Sequence, residues 1–233
     1  MWCAERDGQR VGLDPVLRHT RLVPPGPEGL GMECGCGDGA HLEHTYVDRV
    51  RVATSVSGLW ELVFAEGGSF LPSLYAELGH RIESQSPWSH RADDATDVRE
   101  LVFDQVVKTP MGVKEAHLVE EQVAVVRSVD GGAGPVRFVV ATETASTGVP
   151  YADYFLVLNR YCCWADPAAP DSACFLFISS EFKWIKSTML KRVIAKASLA
   201  RTAEYYGAWL AHLQKMVATA AQPRQSMATS ATS

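Results

Sequence analysis

No stretch of this sequence has the length and hydropathy of a membrane-crossing helix. Such a helix needs about 20 consecutive apolar residues, and apolar runs such as 155–158 and 174–178 stop after a few. The opening segment, Met1-Trp-Cys-Ala-Glu-Arg-Asp7, has no apolar h-region, so a secretory leader is not expected. Without a leader, the six cysteines (Cys3, Cys34, Cys36, Cys162, Cys163, Cys174) are expected as free thiols in a reducing, intracellular compartment. An excess of positive charge is lacking too: 22 Lys plus Arg stand against 27 Asp plus Glu, a net charge of −5. A whole-protein grip on nucleic acid needs a basic surface on phosphate, so no nucleic-acid partner is expected. Hydrolytic signatures are missing as well. There is neither a G-x-S-x-G elbow nor an HExxH pair, and His80, His90 and His117 stand singly. No catalytic residue is assigned, and the chain is not expected to be an enzyme.

What is present is uneven along the chain. Residues 1–40 hold eight Gly and four Pro, a composition that buries too little apolar surface to offset its ordering entropy. The glycines there do not sit between a strand and a helix, so they make no dinucleotide-binding loop. Cys34 and Cys36 with His41 and His44 offer zinc-compatible atoms, but their spacing departs from the usual finger patterns. No metal is therefore assigned. The expected organisation is a flexible lead-in over 1–41, one folded domain over 42–217 and a disordered Ala/Thr/Ser tail over 218–233. Lys183, Lys186, Lys191, Arg192, Lys196 and Arg201 follow one another without an intervening acid, so a basic stretch sits on an acidic remainder.

Hydrophobic periodicity changes along the folded part. Residues 45–53 alternate as a strand, and 55–66 place Val56, Leu59, Trp60, Val63 and Phe64 at helical spacing behind Ser55, a candidate N-cap. Phe70, Leu71, Leu74 and Tyr75 follow in an apolar loop or short helix. Val-rich segments at 81–86, 98–109, 113–129, 136–145, 153–164 and 173–184 read as antiparallel strands. From 187 to about 217 the period returns to 3.6, with Leu190, Val193, Ile194, Ala197, Ala208 and Trp209 on one face. A run of strands closed by one long helix predicts an α+β fold in which a curved antiparallel sheet cups that helix. Such a cup either fills with side chains or holds an apolar ligand.

One segment is more specific. Val149-Pro-Tyr-Ala-Asp-Tyr-Phe-Leu-Val-Leu-Asn-Arg-Tyr-Cys162 closely resembles the V-P-Y-x-D-Y-F…N-R-Y-C stretch of the VASt domain, the StAR-related module of the Aster and Lam sterol transporters. Thr109-Pro-Met-Gly112, Glu121-Gln122 and Cys174-x-Phe-x-Phe resemble its first hairpin turn, an inner strand and its last strand. The resemblance spans about residues 43–214. It implies a helix-grip, START-like fold enclosing an apolar cavity, and a carrier that moves sterol between membranes without covalent chemistry or a cofactor. It also implies a lid after the first helix, bringing Phe70, Leu71, Leu74 and Tyr75 to the ligand. Gln122 matches a cavity-facing polar position suited to the sterol hydroxyl, and Tyr154, Leu156 and Ile178 complete the candidate ligand set.

Lys186, Lys191, Arg192 and Lys196 are the candidate contacts to an anionic membrane, which the family meets commonly at endoplasmic-reticulum contact sites. Members usually carry a GRAM domain and often an anchor. This sequence shows neither, so either a stand-alone carrier or an incomplete or variant product is expected. The competing class is a regulatory membrane- or protein-interaction module with a filled cup and no lipid carriage. The oligomeric state and the preferred sterol are not legible.

Overall fold

The computed structural model describes Cys34 and residues 41–91, 96–109, 112–128 and 135–221. The chain runs β1 (His44–Val52), α1 (Val56–Val63), α2 (Phe70–Leu78), β2 (Arg81–Gln85), β3 (Ser89–Arg91), β4 (Thr96–Thr109), β5 (Gly112–Ser128) and β6 (Pro135–Thr147). A single 3-10 turn (Ala152–Tyr154) then leads into β7 (Phe155–Ala165), β8 (Cys174–Trp184) and the long helix α3 (Lys191–Ala221). The strands form one curved antiparallel sheet in the order β1-β8-β7-β6-β5-β4-β2, with β3 added on β4. The α+β class and the helix-on-sheet architecture expected from the periodicity are what the chain adopts.

Topology places the helices. Consecutive strands β4 to β8 form a meander, whereas β1 joins β8 at one edge and β2 joins β4 at the other. The α1–α2 connection must therefore cross the sheet from edge to edge, and it does so over the concave side. Ser55 starts α1, its hydroxyl accepting from Gly58 N at 3.0 Å, which satisfies one of the helix's orphan donors. Leu59 is buried, while Trp60 and Phe64 set their rings 5.4 and 5.5 Å from Phe138 on β6.

The segment at 70–78 is a helix rather than a loop. Gly79 ends it at φ 69, a left-handed conformation that costs Gly nothing, with His80 N donating to Tyr75 O at 2.8 Å. Gly148, after β6, is a stricter requirement. Its φ is +85, and a Cβ there would lie 2.7 Å from the Glu115 carbonyl.

The core lies between the concave face and the C-terminal part of α3, around Trp209, Phe70, Phe138, Leu74, Leu101, Leu176, Ile178 and Leu213. Two details differ from the periodicity. Residues 187–190 precede α3 instead of opening it, and the helix continues past Val217 to Ala221. Leu190 and Val193, placed by spacing on the apolar face with Trp209, are exposed. Farther along, α3 meets the sheet through Tyr206 and Trp209, which pack on Tyr46 and Tyr161, whereas its first turns carry no fully buried residue. The Pro110-Met111 turn, the 129–134 connection, the lead-in other than Cys34 and His41, and the tail beyond Ala221 fall outside the described residues.

Candidate functional site

Strand alternation turns every second side chain toward α3. The pairing is continuous, so one row of directly opposed residues can be followed across the concave face: Arg99 on β4, Gln122 on β5, Thr142 on β6, Asn159 on β7 and Ser180 on β8. All five are buried, and all are polar.

Their hydrogen bonds form a chain. Arg99 Nε donates to Gln122 Oε1 at 2.8 Å, and Gln122 Nε2 donates to Glu120 Oε1 at 2.6 Å. Thr144 Oγ1 donates to Glu120 Oε2 at 2.9 Å. Farther along, Asn159 Nδ2 donates to Thr142 Oγ1 at 2.9 Å and Ser180 Oγ donates to Asn159 Oδ1 at 2.6 Å. Buried polar groups cost free energy unless bonded, and nearly all of these are.

Two ionisable groups sit at the β4–β5 end, Arg99 in the row and Glu120 two residues along β5 from Gln122. Burial brings the Arg99 guanidinium down to about 10, with Glu120 and Glu66 opposing that fall, so it stays cationic at neutral pH. Its Nη1 donates to the Phe64 carbonyl at 2.8 Å and the guanidinium lies 4.3 Å from the Trp88 ring centre. Nη2 is buried with no acceptor among the described residues. Burial pushes the Glu120 carboxyl up, while its bonds to Gln122 and Thr144 and the Arg99 charge pull the other way. Above the row the hydroxyls of Tyr161 and Tyr206 lie 3.1 Å apart. Tyr75 of α2 bonds Tyr205 of α3, and burial raises all four phenols.

The row divides the concave face. On one side Phe138, Val140, Tyr161, Leu176 and Ile178 are buried in the core. On the other, the paired ends of β7 and β8 present Phe155, Val157, Phe182 and Trp184, all half-buried. This apolar strip is followed in the chain by exposed Ile185, Met189 and Leu190 before α3 and by Val193 in its first turn. Arg192, Val193, Lys196 and Ala197 on the first turns of α3 form an open apolar and basic surface there.

The sequence-derived candidates fall unevenly on this frame. Phe70, Leu71, Leu74 and Tyr75 are buried on α2, which is shut against α3: Phe70 meets Trp209 at 4.9 Å and Ser73 Oγ lies 2.8 Å from His212 Nε2. Gln122 is in the polar row, and Ile178 is on the same face. Leu156, opposite Lys183, points to the other face of β7 from Asn159 and Tyr161. Tyr154 sits at the strand junction, with its ring 5.3 Å from the Lys186 ammonium and its carbonyl accepting from Ile185 N and Lys186 N. Neither Leu156 nor Tyr154 is brought to the row.

The basic candidates divide as well. Lys186 pairs with Asp153 and Lys191 lies over the Trp184 ring at 5.3 Å, whereas Arg192 and Lys196 have no partner among the described residues. Arg99, Glu120, Thr142, Thr144, Asn159 and Ser180 were missed. The signal available for them was a polar residue at the same alternation position in each of several Val-rich strands. No helix among the described residues is long and apolar enough to cross a membrane.

Comparison with known proteins adds the following. Residues 45–201 match the family model described as VASt, VAD1 Analog of StAR-related lipid transfer domain. Human Protein Aster-A is 29% identical over 164 residues, which cover 70% of this chain and 21% of that protein. Rat Protein Aster-A is 31% identical over 137 residues, covering 58% and 17%. The chain thus spans about a fifth of the length of the curated relatives it matches. Among solved structures, a Thermus thermophilus protein, TTHA0849, aligns with a TM-score of 0.42 at 13% identity, covering 75% of this chain and 97% of that one.

Proposed function

The chain belongs to the VASt family of StAR-related lipid transfer domains, and from that premise we propose that it binds a sterol against the concave face of its sheet. We further propose that it carries the sterol between membranes without covalent chemistry. The observation that carries this reading is the order of surfaces along β7 and β8: exposed apolar residues, a half-buried apolar strip, then a buried polar row. A sterol is a rigid apolar body with one hydroxyl, and it needs that sequence of environments. The hydroxyl reaches the polar row at Gln122 and Glu120, where the spare Arg99 Nη2 N–H sits beside them. The rings lie on Phe155, Val157, Phe182 and Trp184. Helix α2 is the closing element, and Tyr75–Tyr205 and Ser73–His212 are its latches.

Loading requires a membrane to be touched at the open end. Ile185, Met189, Leu190 and Val193, with exposures of 53, 102, 43 and 67%, are the apolar part of that contact. Arg192 and Lys196 are its unpaired cations, each worth about 1 kcal/mol near anionic lipid. The setting is the cytosolic face of intracellular membranes, including endoplasmic-reticulum contact sites.

The test is titration of the purified chain with a fluorescent sterol, followed by transfer between donor and acceptor vesicles. Saturable uptake of one sterol per chain, with Gln122→Leu weakening it, is the expected result. Vesicle binding without any saturable sterol uptake would instead establish the filled-cup interaction module.

A further inference from the structure

On the face of the sheet turned away from α3, three metal-binding side chains from separate parts of the chain converge. Cys34 comes from the lead-in, His41 from just before β1 and Cys162 from the middle of β7. The two thiol sulfurs and one imidazole nitrogen all lie within 4.8 Å of one another, and Cys34 Sγ is 3.0 Å from His41 Nε2. Cys34 and Cys162 are buried in a satellite cluster with Val139, Trp164 and Phe177, on the face opposite the polar row.

Each arm is held independently. The His41 ring stacks on Phe177 at 4.0 Å, Leu42 N donates to Ser179 Oγ at 3.1 Å, and Arg137 Nη1 donates to the Cys34 carbonyl at 3.0 Å. Of the zinc-compatible residues noted in the sequence, only Cys34 and His41 belong to this group. His44 packs toward Phe182 on the concave side, and Cys36 lies outside the described residues.

We propose that Cys34 Sγ, His41 Nε2 and Cys162 Sγ bind one soft divalent d-block ion of the zinc class. Tetrahedral zinc holds sulfur at about 2.3 Å and nitrogen at about 2.0–2.1 Å, which sets ligand atoms roughly 3.5–3.8 Å apart. The cluster is near that scale, with one pair at 3.0 Å and all within 4.8 Å. Two thiols and an imidazole select a soft or borderline ion over magnesium or calcium, which take oxygen. Binding releases the two thiol protons to solvent, and the fourth position is left to a water molecule. The other three-residue group of this kind, Glu83, Asp104 and His117, does not compete. Arg81 already bonds the Asp104 carboxylate there, so its cation is supplied. Because the ligands join the 34–41 segment to β7, the ion staples the lead-in to the convex face and stabilises the folded chain by mass action.

The experiment uses the full chain, reduced and stripped with a chelator, then titrated with Co²⁺ and back-titrated with Zn²⁺. One Co²⁺ per chain is expected, with a thiolate-to-cobalt band in the near ultraviolet, tetrahedral visible bands and a raised Tm. Zn²⁺ should displace it. Cys34→Ser, which leaves the sheet untouched, should weaken binding by more than about tenfold. Cys162→Ser should do the same if it folds. Cys163→Ala, on the opposite face, should leave the spectrum unchanged. A chain that gives no thiolate-to-cobalt band overturns the proposal. So does a band that survives loss of both Cys34 and Cys162, or a Cys34–Cys162 disulfide in protein isolated with its thiols blocked at lysis.

Discussion

The two halves of α3 share one backbone and have opposite surroundings. From Tyr205 to Val217 the helix buries Tyr206, Trp209, His212, Leu213 and Val217 between the sheet and α2. From Lys191 to about Arg201 it buries no side chain fully and exposes Val193 beside Arg192 and Lys196. The C-terminal half has the composition of a core helix. The N-terminal half exposes apolar and basic side chains side by side. The C-terminal half is the poorer helix former, with Gly207 and several aromatics, yet it is the buried one. What separates the halves is therefore the partner each has in the folded chain and not propensity. The comparison teaches that the long helix is a strut at one end, while its other end leaves apolar and basic side chains exposed, the surface proposed above to meet a membrane.

That contrast can be broken by substitutions in each half. Trp209→Ala removes a buried indole that packs on Phe70 and Tyr161, and it is expected to cost about 3–5 kcal/mol in urea unfolding. Val193→Ala should stay within about 0.5 kcal/mol of the parent. A comparable loss at both positions would mean that the N-terminal half is packed after all. Membrane affinity should show the reverse order. Replacing Leu190 and Val193 by Glu removes two aliphatic side chains, each worth about 1.5–3 kcal/mol when fully buried. Co-sedimentation with anionic vesicles should then fall by more than about tenfold, with Tm unchanged. Arg192→Glu with Lys196→Glu should give a smaller loss, and one that shrinks as salt is raised, since exposed charges are screened over about 8–10 Å.

Within the buried half, Gln122→Leu is the intermediate case. It leaves Arg99 Nε and Glu120 Oε1 without their partner, at a cost of about 1–3 kcal/mol. That substitution should change both stability and sterol uptake, whereas the vesicle-facing substitutions should change only docking.

Much of this was legible in the residues. Alternation in the Val-rich segments located the strands, Ser55 marked the start of α1, and the order of elements gave the α+β class. The family showed through the 149–162 motif. Periodicity could not separate the two halves of α3, because spacing records which residues share a face and not whether a neighbour covers it. Leu190, Val193 and Trp209 look alike on that count. The polar row was illegible for a related reason. Arg99, Thr142, Asn159 and Ser180 lie far apart in sequence and become neighbours only through strand register, so only Gln122 was found. Register also separates Leu156 from Ile178. Both are apolar strand residues, and they point to opposite faces.

The smallest expected effect concerns Glu120, which lies beneath Tyr205 and Tyr206 in the buried half. Burial holds its carboxyl above the ordinary carboxylate range, so the folded chain binds this proton more tightly than the unfolded chain. The sign follows from linkage: the contribution is full below the unfolded value and is lost as pH rises through the raised folded value. Exposed Glu77 and buried Asp166 act in the opposite sense, held low first by bonds to Lys215 and to Arg51, and their contribution is lost as pH falls. Their effect is common to parent and variant, so the diagnostic quantity is the difference between parent and Glu120→Gln. That difference should move in favour of the variant as pH is raised across the acid limb, measured as the urea midpoint at successive pH values. A difference that stays flat would place Glu120 in contact with bulk water. The concave side under Tyr205 would then be open like the other half of the helix, and the contrast between the two halves would lose its basis.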